Sequence, residues 1–346
     1  MTPVAASPAA PARPPRVRLG WGTVVLGAVV VTLLRPISWA LGLLGFLAGG
    51  GLVIVAWPIL VLPTLTGLQN VLGGPVSSLV FGAPSSGLLA LIVGGLLGTF
   101  VLVVLAILVG SWAERQGIAV VLEAAADEGL RRPSPELRGA PGTWRVAVIR
   151  LLALAPVALA AALAWRPLYD ATYRELILPR ELVTPIPLRV LAEAPWPVIW
   201  VVAAWVVADA AASVAVRRLV LERRPVLVAW LLGWGDLVLR PLRVVPTALL
   251  GLGLLVVLVV PSMLAAAIGW DRIRSILTDG RDPVLAVFGV LVWVAMWLGG
   301  LVLAGVGAAV RAAAWTLELP VRVDDPSGTV AAVRPSSPPD GGPSPF

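Results

Sequence analysis

The chain alternates between long runs without charge and short stretches crowded with arginine. Six runs (37–63, 87–112, 146–165, 194–216, 244–269 and 283–310) are almost wholly apolar and hold two charged residues, Arg150 and Asp209. A helix needs roughly 20 apolar residues to cross about 30 Å of hydrocarbon. Each run therefore predicts a membrane-spanning helix. The expected fold class is an all-α polytopic integral membrane protein, a six-span helical bundle with N-terminal and cytoplasmic interfacial amphipathic helices.

Three shorter segments supply those interfacial helices. The run 19–34 covers about 24 Å at the helical rise, short for a crossing. It reads as an interfacial helix with Trp21 at head-group depth and Arg35 as its far anchor. Were it to cross, the count would become seven and the N-terminus would change sides. In 113–132, Ile118, Val121, Leu122 and Ala125 form an apolar stripe, and Asp127/Arg131 and Glu128/Arg132 pair at i,i+4. This predicts a separate surface helix, stopped by Pro133. In 225–239, Trp230, Leu231, Trp234 and Val238 make an apolar face between Arg223-Arg224 and Arg240-Pro241.

Two of these segments echo each other. Leu19-Gly20-Trp21-Gly22 recurs as Leu232-Gly233-Trp234-Gly235, and Leu34-Arg35-Pro36 as Leu239-Arg240-Pro241, though out of register. The spans group into three hairpins, 37–112, 146–216 and 244–310. The membrane domain, 17–316, lies between a Pro- and Ala-rich tail (1–16) and a Pro-, Ser- and Gly-rich tail (317–346). Both tails are expected to be disordered. Arg13, Arg16 and Arg18 before an apolar run imitate a signal peptide, but Arg35-Pro36 and the span that follows favour an uncleaved N-terminus.

Charge sets the expected orientation. Sorting the loop charges by side places 18 arginines and 11 acids on one face and 7 arginines with 7 acids on the other. The whole net charge of +7 falls on the first face. By the positive-inside tendency that face is cytoplasmic, together with both termini. All 26 basic residues are arginine, in a chain rich in Ala, Gly, Pro and Val. That usage fits a GC-rich bacterial genome, and the expected location is the bacterial cytoplasmic (inner) membrane.

Composition then restricts the chemistry. A chain 59% hydrophobic and 13% charged is far from the soluble average of roughly 45–50% and about 25%. It has no Cys and no His, which removes disulfides, thiolates, the usual proton shuttle and the commonest metal ligand. No catalytic, cofactor-binding or metal-binding pattern appears, and no cofactor is expected. Asp271, Asp279 and Asp282 alternate with Arg272, Arg274 and Arg281 in one outer connection, a pattern of solvated charges. The basic loops beside spans point to anionic lipid head groups, not to nucleic acid.

Two groups of residues stand out as candidate sites. Arg150 and Asp209 form a candidate intramembrane polar pair, because a lone charge in hydrocarbon costs at least about 2.5–3.5 kcal/mol on insertion scales. Pairing would fix the middle hairpin; an unpaired Asp209 would suit proton or ion coupling. Tyr169, Asp170, Tyr173 and Arg174 form a candidate outer-mouth cluster, or else an aromatic anchor at head-group depth. The spacings Gly45/Gly49, Gly94/Gly98 and Gly300/Ala304 are expected to pack the bundle internally. Pro58, Pro156, Pro246 and Pro261 should kink their spans. The functional expectation is an integral membrane component without catalytic chemistry that contacts lipid or a membrane protein partner. The alternative is a small transporter or permease component using Arg150 and Asp209.

Overall fold

In the computed structural model, the described residues are 16–17, 19–59, 86–130, 142–178, 184–279, 283–319 and 321–322. With no water in hydrocarbon to satisfy peptide groups, apolar runs of this length bond internally as helices. Six are long and apolar enough to cross a membrane: Ile37–Ile59, Ser86–Asp127, Thr143–Ile177, Pro195–Leu221, Pro241–Thr278 and Pro283–Glu318. The chain is an all-α polytopic membrane bundle.

The helices are α1 (Trp21–Leu34), α2 (Ile37–Phe46), α3 (Leu52–Ala56), α4 (Ser86–Asp127), α5 (Thr143–Ile177), α6 (Ile186–Glu193), α7 (Pro195–Leu221), α8 (Val226–Leu239), α9 (Pro241–Leu254), α10 (Val260–Asp279) and α11 (Pro283–Glu318). A π-helical turn at Leu47–Gly51 joins α2 to α3, and another at Leu255–Val259 joins α9 to α10. The first turn has Gly50 at φ 104°, a left-handed conformation open to glycine. The second lies just before Pro261, whose ring cannot donate to the preceding turn.

Five of the spans continue as helix past their apolar limits on the arginine-rich side. The stretch 113–127 is accordingly no separate surface helix. It is the end of α4, unbroken for 42 residues, because its apolar stripe meets protein and not a lipid surface. Ile118 and Leu122 pack against Val146 and Ile149 of α5 and Ala212, Val216 and Leu219 of α7. Val121, Ala124 and Ala125 pack against α1 and α11. The expected partners Arg131 and Arg132, and Pro133, lie outside the described residues, as do the connection 64–85 and most of both tails. Asp271 and Asp279 are not in a loop: α10 stays helical to Asp279, and Asp282 is outside the described residues.

Segment 19–34 lies against this packed end. Val24, Ala28 and Val31 of α1 contact α4 together with Val310, Ala313 and Leu317 of α11. Arg35 pairs with Asp127 at the far end of α4. Two short strands, β1 (Arg16–Val17) and β2 (Val321–Arg322), pair antiparallel. Their pairing brings the residues before α1 and after α11 to the same side of the bundle.

Burial is uneven along the spans. The arginine-rich ends of α4, α7 and α11 are enclosed, whereas their other halves carry exposed Leu96, Phe100, Trp200, Leu285 and Phe288. The small-residue spacings divide likewise. Gly300 meets Ser262 and Met263, whereas among the described residues nothing lies within 4 Å of a Cβ built on Gly45, Gly49, Gly94 or Gly98, so of the three expected spacings the described residues show one packing the bundle. A close backbone crossing lies elsewhere. A Cβ on Gly42 would lie 2.5 Å from the Gly305 carbonyl, and one on Gly305 would lie 2.7 Å from the Trp39 carbonyl. These two glycines let α2 and α11 touch backbone to backbone.

Candidate functional site

Arg150 and Asp209 come together. The Arg150 Nη1 donates to Asp209 Oδ1 at 2.8 Å, joining α5 to α7. The pair belongs to a larger layer. Arg150 also makes a fork to Glu114 of α4, with Nε to Oε2 at 2.8 Å and Nη2 to Oε1 at 2.7 Å. Arg217, one residue beyond the apolar run of α7, donates to Glu114 Oε1 at 2.6 Å. Arg311 of α11 donates to Asp209 Oδ2. Three guanidiniums and two carboxylates thus connect four spans in the order Arg217, Glu114, Arg150, Asp209, Arg311.

Each carboxylate oxygen in the layer accepts from a guanidinium, which relieves most of the desolvation that burying these charges demands. Arg217, with 2% of its side chain exposed, also donates to the Ser213 carbonyl at 2.9 Å and the Ala312 carbonyl at 3.3 Å. Its Nε has no hydrogen-bond partner among the described residues. Arg311 reaches the layer by running its stem over Gly251 of α9, where an added Cβ would lie 2.5 Å from the arginine Cδ. Glu114, Arg217 and Arg311 escape a reading by apolar runs because each lies within two residues of a run's end and counts there as a loop charge. Only the helical extension of the spans turns them inward.

A second network lies just beyond. Arg218 donates to Asp236 of α8 through Nε at 2.9 Å and also through Nη2, and its Nη1 reaches Glu222 at 2.9 Å. Arg240 stands 3.5 Å from Asp236, and Arg224 stands 3.5 Å from Glu222. These bonds pin α8 to α7 where Gly233 sits against the backbone of Ala211. The outward side of α8 is apolar as well, with Leu227, Leu231, Val238 and Leu239 exposed. Beside it, Ala155, Pro156, Leu159, Trp230, Leu231 and Trp234 line an open apolar groove of about 370 Å³.

The candidate outer-mouth cluster sits apart, roughly 28 Å along α5 from Arg150. Tyr169 stacks between Trp165 and Tyr173, with ring centroids 6.4 and 6.3 Å away, as i,i+4 spacing allows. Arg174 donates to the Asp170 backbone carbonyl at 3.3 Å and pairs with Glu193 of α6 at 3.0 Å. Neighbouring Glu175 and Arg189 form a buried pair at 2.7 Å, which i,i+4 reasoning within one helix misses because it joins α5 to α6. Among the described residues, no three His, Cys, Asp or Glu side chains converge to hold a metal ion.

These features define a polytopic α-helical membrane protein with a layer of partly buried ion pairs joining four spans at one end. Comparison with family models, with curated proteins and with solved structures finds no match to this chain.

Proposed function

We propose that this chain is a non-catalytic component of the bacterial cytoplasmic membrane, with both termini cytoplasmic, that associates with anionic lipid or a membrane protein partner. The observation that carries this reading is the saturation of the charged layer. All four oxygens of Glu114 and Asp209 are held by arginine. A carboxylate that shuttles protons or ions must exchange partners, and these two are locked among four helices. That favours a structural role over the transporter alternative. The arginine excess on one side and the pairing of β1 with β2 support the shared orientation of the termini.

Purification from native membranes, followed by mass spectrometry of what accompanies the protein, tests the association. Anionic phospholipid or a stoichiometric subunit is the expected finding. Proton-coupled uptake by reconstituted vesicles, lost in Asp209→Asn, would overturn it in favour of transport. A reporter fused near residue 8 tests the orientation, and an external signal would reverse it.

A further inference from the structure

We infer that Arg311 is the core of a phosphate-binding site for a phospholipid of the leaflet on the arginine-rich side. This rests on the lipid-associated reading above and gives it an address. The layer holds three guanidiniums and two carboxylates, and the carboxylate oxygens are all taken, so one positive charge has no counter-charge among the residues of the layer. Arg217 is enclosed. The surplus is open at Arg311, whose side chain is 32% exposed. Among the described residues its one hydrogen bond goes to Asp209, and a guanidinium has five N–H donors to offer.

Position and surroundings favour lipid phosphate as the counter-ion. Arg311 lies about 42 Å along α11 from Pro283, and Glu114 about 42 Å along α4 from Ser86. Those lengths exceed the roughly 30 Å hydrocarbon core and reach the head-group zone. Exposed Val245, Leu249 and Leu252 lie on α9, the helix whose Gly251 the arginine stem crosses, and present an apolar surface on which acyl chains can lie. Gly251 keeps the arginine's path clear. A guanidinium binds phosphate oxygens through two parallel N–H groups, a geometry that the fixed stem preserves. Free phosphate shares this chemistry, but only a lipid also occupies the apolar flank.

The test uses the full chain in detergent, titrated with phosphatidylglycerol or phosphatidylcholine and read by native mass spectrometry. Wild type should retain one phosphatidylglycerol in preference to phosphatidylcholine. Arg311→Gln should lower that retention about tenfold. It leaves Asp209 paired with Arg150, so the fold should persist, as the elution volume and helical circular dichroism would show. Arg311→Lys, which keeps the charge but not the paired N–H geometry, should bind between wild type and Arg311→Gln, and Arg243→Gln, at an exposed arginine, should change binding little. Retention by Arg311→Gln equal to wild type would overturn the site while leaving the general lipid reading intact. Equal loss in Arg311→Lys would overturn the charge argument. Displacement of the lipid by millimolar inorganic phosphate would reassign the site to a free anion. Failure of wild type to retain phosphatidylglycerol would also sink the site, and the lipid or subunit found in native membranes would then decide the broader reading separately.

Discussion

Arg217 and Arg218 are neighbours in α7, yet they enter two networks of the same composition. Arg217 joins Glu114, Arg150, Asp209 and Arg311, whereas Arg218 joins Glu222, Arg224, Asp236 and Arg240. Each has three arginines and two carboxylates. The difference is where the surplus charge ends. In the second network it falls on Arg224 and Arg240, which are 50% and 44% exposed, so water and counter-ions can screen it. In the first it faces a less polar surrounding, and the partners are spread over four spans instead of one helix junction. Identical stoichiometry therefore carries different consequences: the inner layer sets the arrangement of the spans, and the outer one pins a single short helix.

The inner layer should be the harder to lose. Glu114→Ala leaves Arg150 with one acid and Arg217 with none, and breaking a buried pair costs about 3–5 kcal/mol. Thermal unfolding in detergent should show a large fall, and a small one would place the layer in a more aqueous setting. Gly233→Val comes next. Its Cβ would lie 2.4 Å from the Ala211 carbonyl, and overpacking of this kind costs about 1–3 kcal/mol. The α8 helix should loosen while the inner layer holds, detectable as faster hydrogen exchange confined to 226–239. Asp236→Asn removes charge from the two-donor contact of Arg218 but leaves Glu222 in place, for about 1.5 kcal/mol. Arg224→Gln should cost less than about 1 kcal/mol, as exposed pairs do. Salt sharpens the contrast. Raising ionic strength should shrink the effect of Arg224→Gln further and leave that of Glu114→Ala nearly unchanged.

The two arginine–proline joints show a related division between local and tertiary causes. Arg35 (φ −124°, ψ 83°) ends α1 before Pro36, and Arg240 (φ −136°, ψ 50°) ends α8 before Pro241. The residue before proline is steered away from helical geometry, so both breaks are written into the dipeptide. The helices before them are 14 residues each. Their anchoring differs. Arg35 reaches Asp127 on another span, whereas Arg240 turns back to Asp236 in its own helix. The echo in sequence forecasts the break and not the partner.

The same boundary runs through the candidate site. Arg150 and Asp209 stand out in the sequence because an isolated charge within an apolar run is conspicuous on energetic grounds alone. Glu114, Arg217 and Arg311 look like ordinary loop charges, since nothing local says that their helices continue and converge. The glycines behave likewise: Gly42 and Gly305 resemble Gly94 and Gly98 until another backbone approaches.

What the sequence determined by itself is the number and extent of the apolar spans, the asymmetry of charge across them and the joints at proline. Transfer into hydrocarbon and backbone restriction act residue by residue, so they can be read in order along the chain. Tertiary structure alone decided that α4 runs unbroken through 113–127, that α1 docks on α4 and α11, and that five charges from four helices form one layer. Each of those depends on groups far apart in the chain meeting at contact distance, where the surroundings, and not the residue type, set what a charge costs.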